Sequence, residues 1–133
     1  MKDYLLAPRP EVLTGYTYRT ETPCGTLFLT LNDFNGHLFE VRIIMGKAGN
    51  CTSTLFQSLA LFLSVLLQTN IPREKIAKTL EKRFDCYCAN PFWKDKVKYN
   101  SCIDFIFKKM LEDMASREEI KIEEESKEKD LQK

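Results

Sequence analysis

The residues of this chain best suited to chemistry are its cysteines, and their placement relative to expected helix starts is the informative part. Cys51 follows Gly46-Lys47-Ala48-Gly49-Asn50 and opens a long apolar run, Cys102 follows Ser101 at the start of another, and Cys86 and Cys88 lie between them in Asp85-Cys86-Tyr87-Cys88. A thiol at a helix N-terminus faces the positive end of the macrodipole, which favours its thiolate, the form that binds metal. Cys51, Cys86 and Cys102, with Cys88, Asp85 or Asp104 as a fourth ligand, would make a sulfur-rich tetrahedral centre. Such a centre suits zinc first and an iron–sulfur cluster second. The spacings contain no C-x-x-C pair, so the same thiols also read as small buried apolar groups. Cys24, ahead of Gly25 at a strand start, and His37, after a turn, fall outside the expected ligand set.

A second candidate site is the glycine-rich turn itself. Gly46, Lys47, Gly49 and Asn50 run from a strand into a helix N-terminus, where backbone N–H groups can converge on a phosphate and Lys47 adds charge. Arg42 is the nearest further cation in sequence, and Arg9 and Arg19 are others. The order is not that of a Walker A loop. The competing reading is a tight strand-to-helix turn that needs glycine for its dihedrals. Tyr87, Phe92, Trp93 and Tyr99, interleaved with Lys94, Lys96 and Lys98, could stack on bases. They read better as a loop folded onto the core with lysines outside. The single histidine is far along the chain from every cysteine, and there is no paired-carboxylate signature. The chain is therefore expected not to be an enzyme by itself.

These candidates must be held by a rather ordinary chain. Its 133 residues, 44% hydrophobic and 29% charged, suffice for one domain with its own core. Net charge is +1, but residues 112–133 carry nine acids against five bases, −4, which leaves +5 on residues 1–111. That is too little to argue for nucleic acid, and it suits a solvated surface. Without a long apolar N-terminal run, and with an odd number of cysteines, a cytoplasmic chain without disulfides is expected. The run Leu55–Leu67 is too short to span a membrane.

Residues 1–15 read as an extended arm, because Pro8 and Pro10 oppose helix. Three strands follow over 16–21, 27–31 and 38–45, with Asn35-Gly36 marking a hairpin turn. Phe39, Val41, Ile43 and Met45 fall on one side of the third strand, and Glu40 and Arg42 on the other. A helix over 52–68 is apolar nearly all round, so it must bury more than one side. One side can cover the sheet, and the remainder implies a homo-oligomer joined through the Leu55–Leu67 helix. A short amphipathic helix over 73–82, an irregular loop over 83–100 and a helix opened by Cys102 complete the domain. Ser101 and Asp104 resemble a capping box, and Ile103, Ile106, Phe107, Met110 and Met114 form the helix's buried stripe. The expected fold is α+β: a three-stranded antiparallel sheet packed by three helices over 16–115. A charged tail, frayed or disordered, occupies 116–133.

Several stretches together resemble the TSCPD domain, found near the C-terminus of vitamin B12-dependent (class II) ribonucleotide reductases and as small free-standing proteins. They are Arg9-Pro10-Glu11-Val12-Leu13-Thr14-Gly15, Thr22-Pro23-Cys24-Gly25, Phe39-Glu40-Val41, Gly46-Lys47-Ala48-Gly49 and Ser101-Cys102-Ile103-Asp104. They span about residues 9–112. Ile103 stands where the family motif has proline, which leaves the cysteine and the aspartate in place. The resemblance implies a non-catalytic accessory module, a ribonucleotide reductase as its partner, and no ribonucleotide reduction by this chain alone. A nucleotide or other phosphorylated small molecule captured at Gly46–Asn50 is the alternative. A looser similarity to iron–sulfur scaffold proteins of the NifU-like type would give Cys51, Cys86 and Cys102 the ligand positions, at the level of fold analogy.

Overall fold

A computed structural model describes residues 7–46, 50–82, 84–85 and 91–121. Three strands, β1 (Thr14–Thr22), β2 (Gly25–Phe34) and β3 (His37–Met45), form an antiparallel sheet in the order β1-β2-β3. Alternation decides which face is buried. Leu27, Leu29 and Leu31 of β2 pair with Met45, Ile43 and Val41 of β3, and all six are at most 2% exposed. Each such aliphatic side chain contributes about 1.5–3 kcal/mol of transfer free energy. The β2–β3 hairpin turns through Asn35 and Gly36, both at positive φ (53° and 79°), the two-residue turn whose twist matches the strands. Gly15 is needed for a different reason. A Cβ there would lie 2.2 Å from the Leu31 carbonyl oxygen and 2.7 Å from Asn32 Cα.

The even alternation expected along β3 is broken once. Asn32 pairs with Glu40 but Asp33 pairs with Leu38, so Phe39 is an extra, bulged residue. The bulge lets Leu38 and Val41 both face the core, and it buries Phe39 against Phe34 with ring centroids 5.5 Å apart.

Helix α1 (Cys51–Leu67) runs back along β3. Ser53, Ala60, Leu63, Ser64 and Leu67 form its buried side. Ser64 seals the free edge of β3: its hydroxyl accepts from Val41 N–H (2.9 Å) and donates to the Val41 carbonyl (3.0 Å). Gln68 donates to the Phe39 carbonyl (3.4 Å) on the same edge. Helix α2 (Arg73–Leu80) follows N-cap Pro72 and buries Ile76, Ala77 and Leu80.

The segment expected to be one irregular loop contains a hairpin, β4 (Phe92–Lys94) paired with β5 (Val97–Tyr99). Its turn residues, Asp95 and Lys96, both adopt positive φ without glycine (51° and 68°), which is why residue type gave no warning. Phe92 and Tyr99 point inward onto Phe105, at centroid distances of 6.1 and 5.0 Å, while Trp93 is exposed. Tyr87 lies outside the described residues. Helix α3 (Cys102–Ser116) buries Cys102, Phe105, Ile106, Phe107, Met110, Asp113 and Met114, and Ile103 is only partly buried.

The chain continues in order past α3. Glu118 adopts φ 61°, and Glu119 N–H donates to the Met114 carbonyl (2.9 Å), a Schellman-type stop. Glu119 and Ile120, read from sequence as part of a charged tail, are tucked in. The Glu119 carboxylate, its side chain 1% exposed, meets Arg73 (3.2 Å), His37 (2.8 Å) and Leu38 N–H (3.2 Å). Residues 122–133 lie outside the described part. No helix among the described residues is long and apolar enough to cross a membrane.

Candidate functional site

The thiols come first. Ser101 caps α3 by accepting from Asp104 N–H (3.0 Å), and its hydroxyl donates to the Phe84 carbonyl, which brings the 84–85 segment to this helix start. The expected capping box closes one residue early: the Asp104 carboxylate accepts from Asn100 N–H (2.9 Å) and pairs with Lys108 (3.1 Å). Cys102 is buried, and its thiol donates to Thr22 Oγ1 (3.2 Å). That hydroxyl also accepts from Cys24 N–H (3.1 Å) and donates to the Gly25 carbonyl (2.8 Å). The turn packed on Cys102 is thus Thr22-Pro23-Cys24-Gly25, and the cysteine it carries is Cys24, which sequence reasoning set aside. The signal was present in the Thr-Pro-Cys-Gly stretch, but nothing local tied it to Ser101-Cys102. Cys51 is exposed at the first position of α1. Cys86 and Cys88 lie outside the described residues. Among the described residues, no three His, Cys, Asp or Glu side chains form a metal-sized group.

At the glycine-rich turn, Gly46 takes φ 67°, a left-handed conformation that suits glycine. Lys47, Ala48 and Gly49 lie outside the described residues. Asn50 is the N-cap of α1: its side-chain oxygen accepts from Ser53 N–H (2.8 Å) and its carbonyl from Thr54 N–H (3.0 Å). Asn50 therefore spends its side chain on the helix itself.

Arg42 points elsewhere, into a groove between the outer face of β3 and α1. The groove has a volume of about 550 Å3 and is lined by Arg9, Glu40, Arg42, Ile44, Leu61 and Val65, among others. Glu40, its side chain 9% exposed, is the anchor. It accepts from Arg9 Nε (2.6 Å) and Nη2 (3.3 Å), Asn32 Nδ2 (2.9 Å) and Arg42 Nε (3.2 Å). The Arg9 guanidinium, with help from Asn32 and Arg42, outweighs burial and holds the Glu40 carboxyl down to about 2. Sequence alternation put Glu40 and Arg42 on the outer face. The arm carrying Arg9 has no periodicity that could have placed it there.

A second charged network ties β1 to α3. The Tyr16 hydroxyl bonds Asp113, whose other oxygen accepts from Arg117 Nε (2.9 Å), and Arg117 reaches Asp33 (3.5 Å). Burial and the Asp113 carboxylate push the Tyr16 phenol well above its ordinary range. These groups are saturated by one another and clamp the fold.

Neither curated proteins nor solved structures give a match to this chain. A family profile does: the TSCPD domain matches residues 2–114, which takes in the arm, the sheet, α1, α2 and most of α3. Four of the five motif-bearing segments meet in pairs, Arg9 on Glu40 and Thr22 on Cys102. On that coverage, the chain belongs to the TSCPD domain family.

Proposed function

We propose that this protein is a non-catalytic accessory module that works as a homo-oligomer, with α1 as the contact surface. The observation that carries the reading is the outer side of α1. The helix contains no charged residue, yet Leu55 (70%), Leu61 (61%), Phe62 (66%), Val65 and Leu66 remain exposed. Together they offer roughly 500 Å2 of apolar side chain, the upper end of what an ordinary monomer shows. Two copies would bury about 1,000 Å2, the level at which a specific interface begins. A surface without charge, whose hydroxyls on Thr54 and Ser58 are given to the helix's own carbonyls, favours a copy of itself over a charged partner. Leu55, Phe62 and Leu66 repeat at seven and four residues, the spacing of a helix-on-helix seam.

Zinc held by Cys51, Cys86, Cys88 and Cys102 is a separable part of the proposal, as is association with a class II ribonucleotide reductase. The first test is mass in solution by light scattering from micromolar to hundred-micromolar protein, wild type beside Phe62→Asp. A concentration-dependent oligomer that becomes monomeric in the variant supports the reading. A wild type that is monomeric throughout overturns it.

A further inference from the structure

We infer that the groove between β3 and α1 binds a small amphipathic organic anion, its acidic head on the outer fork of Arg42 and its apolar body against Ile44, Leu61 and Val65. Arg42 gives only Nε to Glu40. Its two terminal nitrogens have no partner among the described residues, and its side chain is 65% exposed. Glu40 does not repel the head as a lone carboxylate would, because Arg9 already grips both of its oxygens. Two guanidiniums and one carboxylate leave the groove with one unbalanced positive charge, presented as a planar fork that matches carboxylate or phosphate oxygens.

The rest of the groove sets the body of the ligand. Ile44 is 56% and Leu61 61% exposed, and with Val65 they make an apolar wall beside the cation. Gln57 and Gln68 stand on the same wall and each gives one amide N–H, to Ser53 Oγ (3.3 Å) and to the Phe39 carbonyl (3.4 Å). The second N–H and the carbonyl oxygen of each remain to orient the ligand. A charged head alone would leave the wall wet, and an uncharged apolar molecule would leave the fork unused. The volume is within the range of small-molecule sites.

The inference stands on the single chain, although Leu61 and Val65 also border the α1 contact surface, so that a bound anion and a second copy compete for them. Leu61 and Val65 share a side of α1 with Gln57 and Gln68, whereas Leu55, Phe62 and Leu66 lie about a third of a turn further round. The experiment is an amide-shift titration of the full chain with octanoate, octyl phosphate, octanol and inorganic phosphate, on wild type, Arg42→Gln, Leu61→Asp and Phe62→Ser. Octanoate or octyl phosphate should saturate with shifts at Arg42, Ile44 and Leu61, and whichever binds tighter identifies the head group. Octanol and inorganic phosphate should each bind at least tenfold more weakly. Arg42→Gln and Leu61→Asp should each weaken binding at least tenfold, and Phe62→Ser should not weaken it. Octanol binding as well as octanoate, or unchanged affinity in Arg42→Gln with its fold retained, overturns the inference. So does loss of binding in Phe62→Ser alone, which would place the probe on the outer stripe. A monomeric wild type that still binds octanoate removes the oligomer and keeps the groove.

Discussion

Glu40 should make this protein acid-sensitive in a way that a single substitution isolates. Its carboxyl is held at about 2 against an ordinary 4.5, chiefly by Arg9. A difference of about 2.5 units corresponds to at most about 3–4 kcal/mol between the two protonation states. The side chains of Arg9 and Arg42 are 41% and 65% exposed, so solvent screening reduces this to about 1–2 kcal/mol. A folded-state value below the unfolded one means that the stabilisation is complete above pH 4.5. It is then lost as pH falls from there through 2. Glu40→Gln removes the charge while keeping the shape. Urea unfolding of the two proteins should therefore differ by about 1–2 kcal/mol at pH 5–7, and the gap should close towards pH 2.5. Other carboxyls titrate in both proteins and cancel in the difference. A gap that stays constant down to pH 2.5 would mean that Glu40 acts by packing or neutral hydrogen bonding. No gap at pH 7 would refute the electrostatic account altogether.

Gly15→Ala puts a methyl within 2.2 Å of a backbone oxygen of β2 and should destabilise by about 1–3 kcal/mol, seen as a lower urea midpoint. Ser64→Ala strands both backbone groups of Val41 and should cost about 1–3 kcal/mol in the same measurement, with faster hydrogen exchange at the Val41 amide. Phe105→Ala empties the centre of the Phe92–Tyr99–Phe105 cluster, 0% exposed at Phe105, and should cost about 3–5 kcal/mol in the chemical melt. Zinc held by the thiols should appear at stoichiometric level by elemental analysis and be lost in Cys102→Ser; its absence from the wild type would leave Cys102 as a packing residue beside Thr22.

What the sequence disclosed was whatever depends on neighbours along the chain. The alternation of Leu27, Leu29 and Leu31, the Asn35-Gly36 turn, the uncharged run of α1 and the Ser101 cap are each local, and each is found where expected. The hairpin at Phe92–Tyr99 was hidden because Asp95 and Lys96 take left-handed conformations that their residue types rarely signal. Glu119 looked like one acid among many, since its partners Arg73 and His37 are distant in sequence. The candidate sites divide the same way. Arg42 could be placed on a strand face, but its neighbours Arg9 and Leu61 come from an irregular arm and from the far side of a helix. Cys102 could be placed at a helix start, but its contact with Thr22 spans 80 positions.

The sealing of β3 by α1 gives the sheet a polarity of growth. Backbone groups of Val41 and Phe39 that would otherwise recruit another strand are occupied by Ser64 and Gln68. On the opposite side, strand alternation turns the main-chain groups of Gly15 and Thr17 outward from β1, with Lys94 taking the Arg19 carbonyl at 2.9 Å. Among the described residues of this sheet, β1 is the edge left for a foreign strand, and a second copy adding there would face outward with its own covered edge. Edge pairing through the three-stranded sheet therefore ends at two protomers.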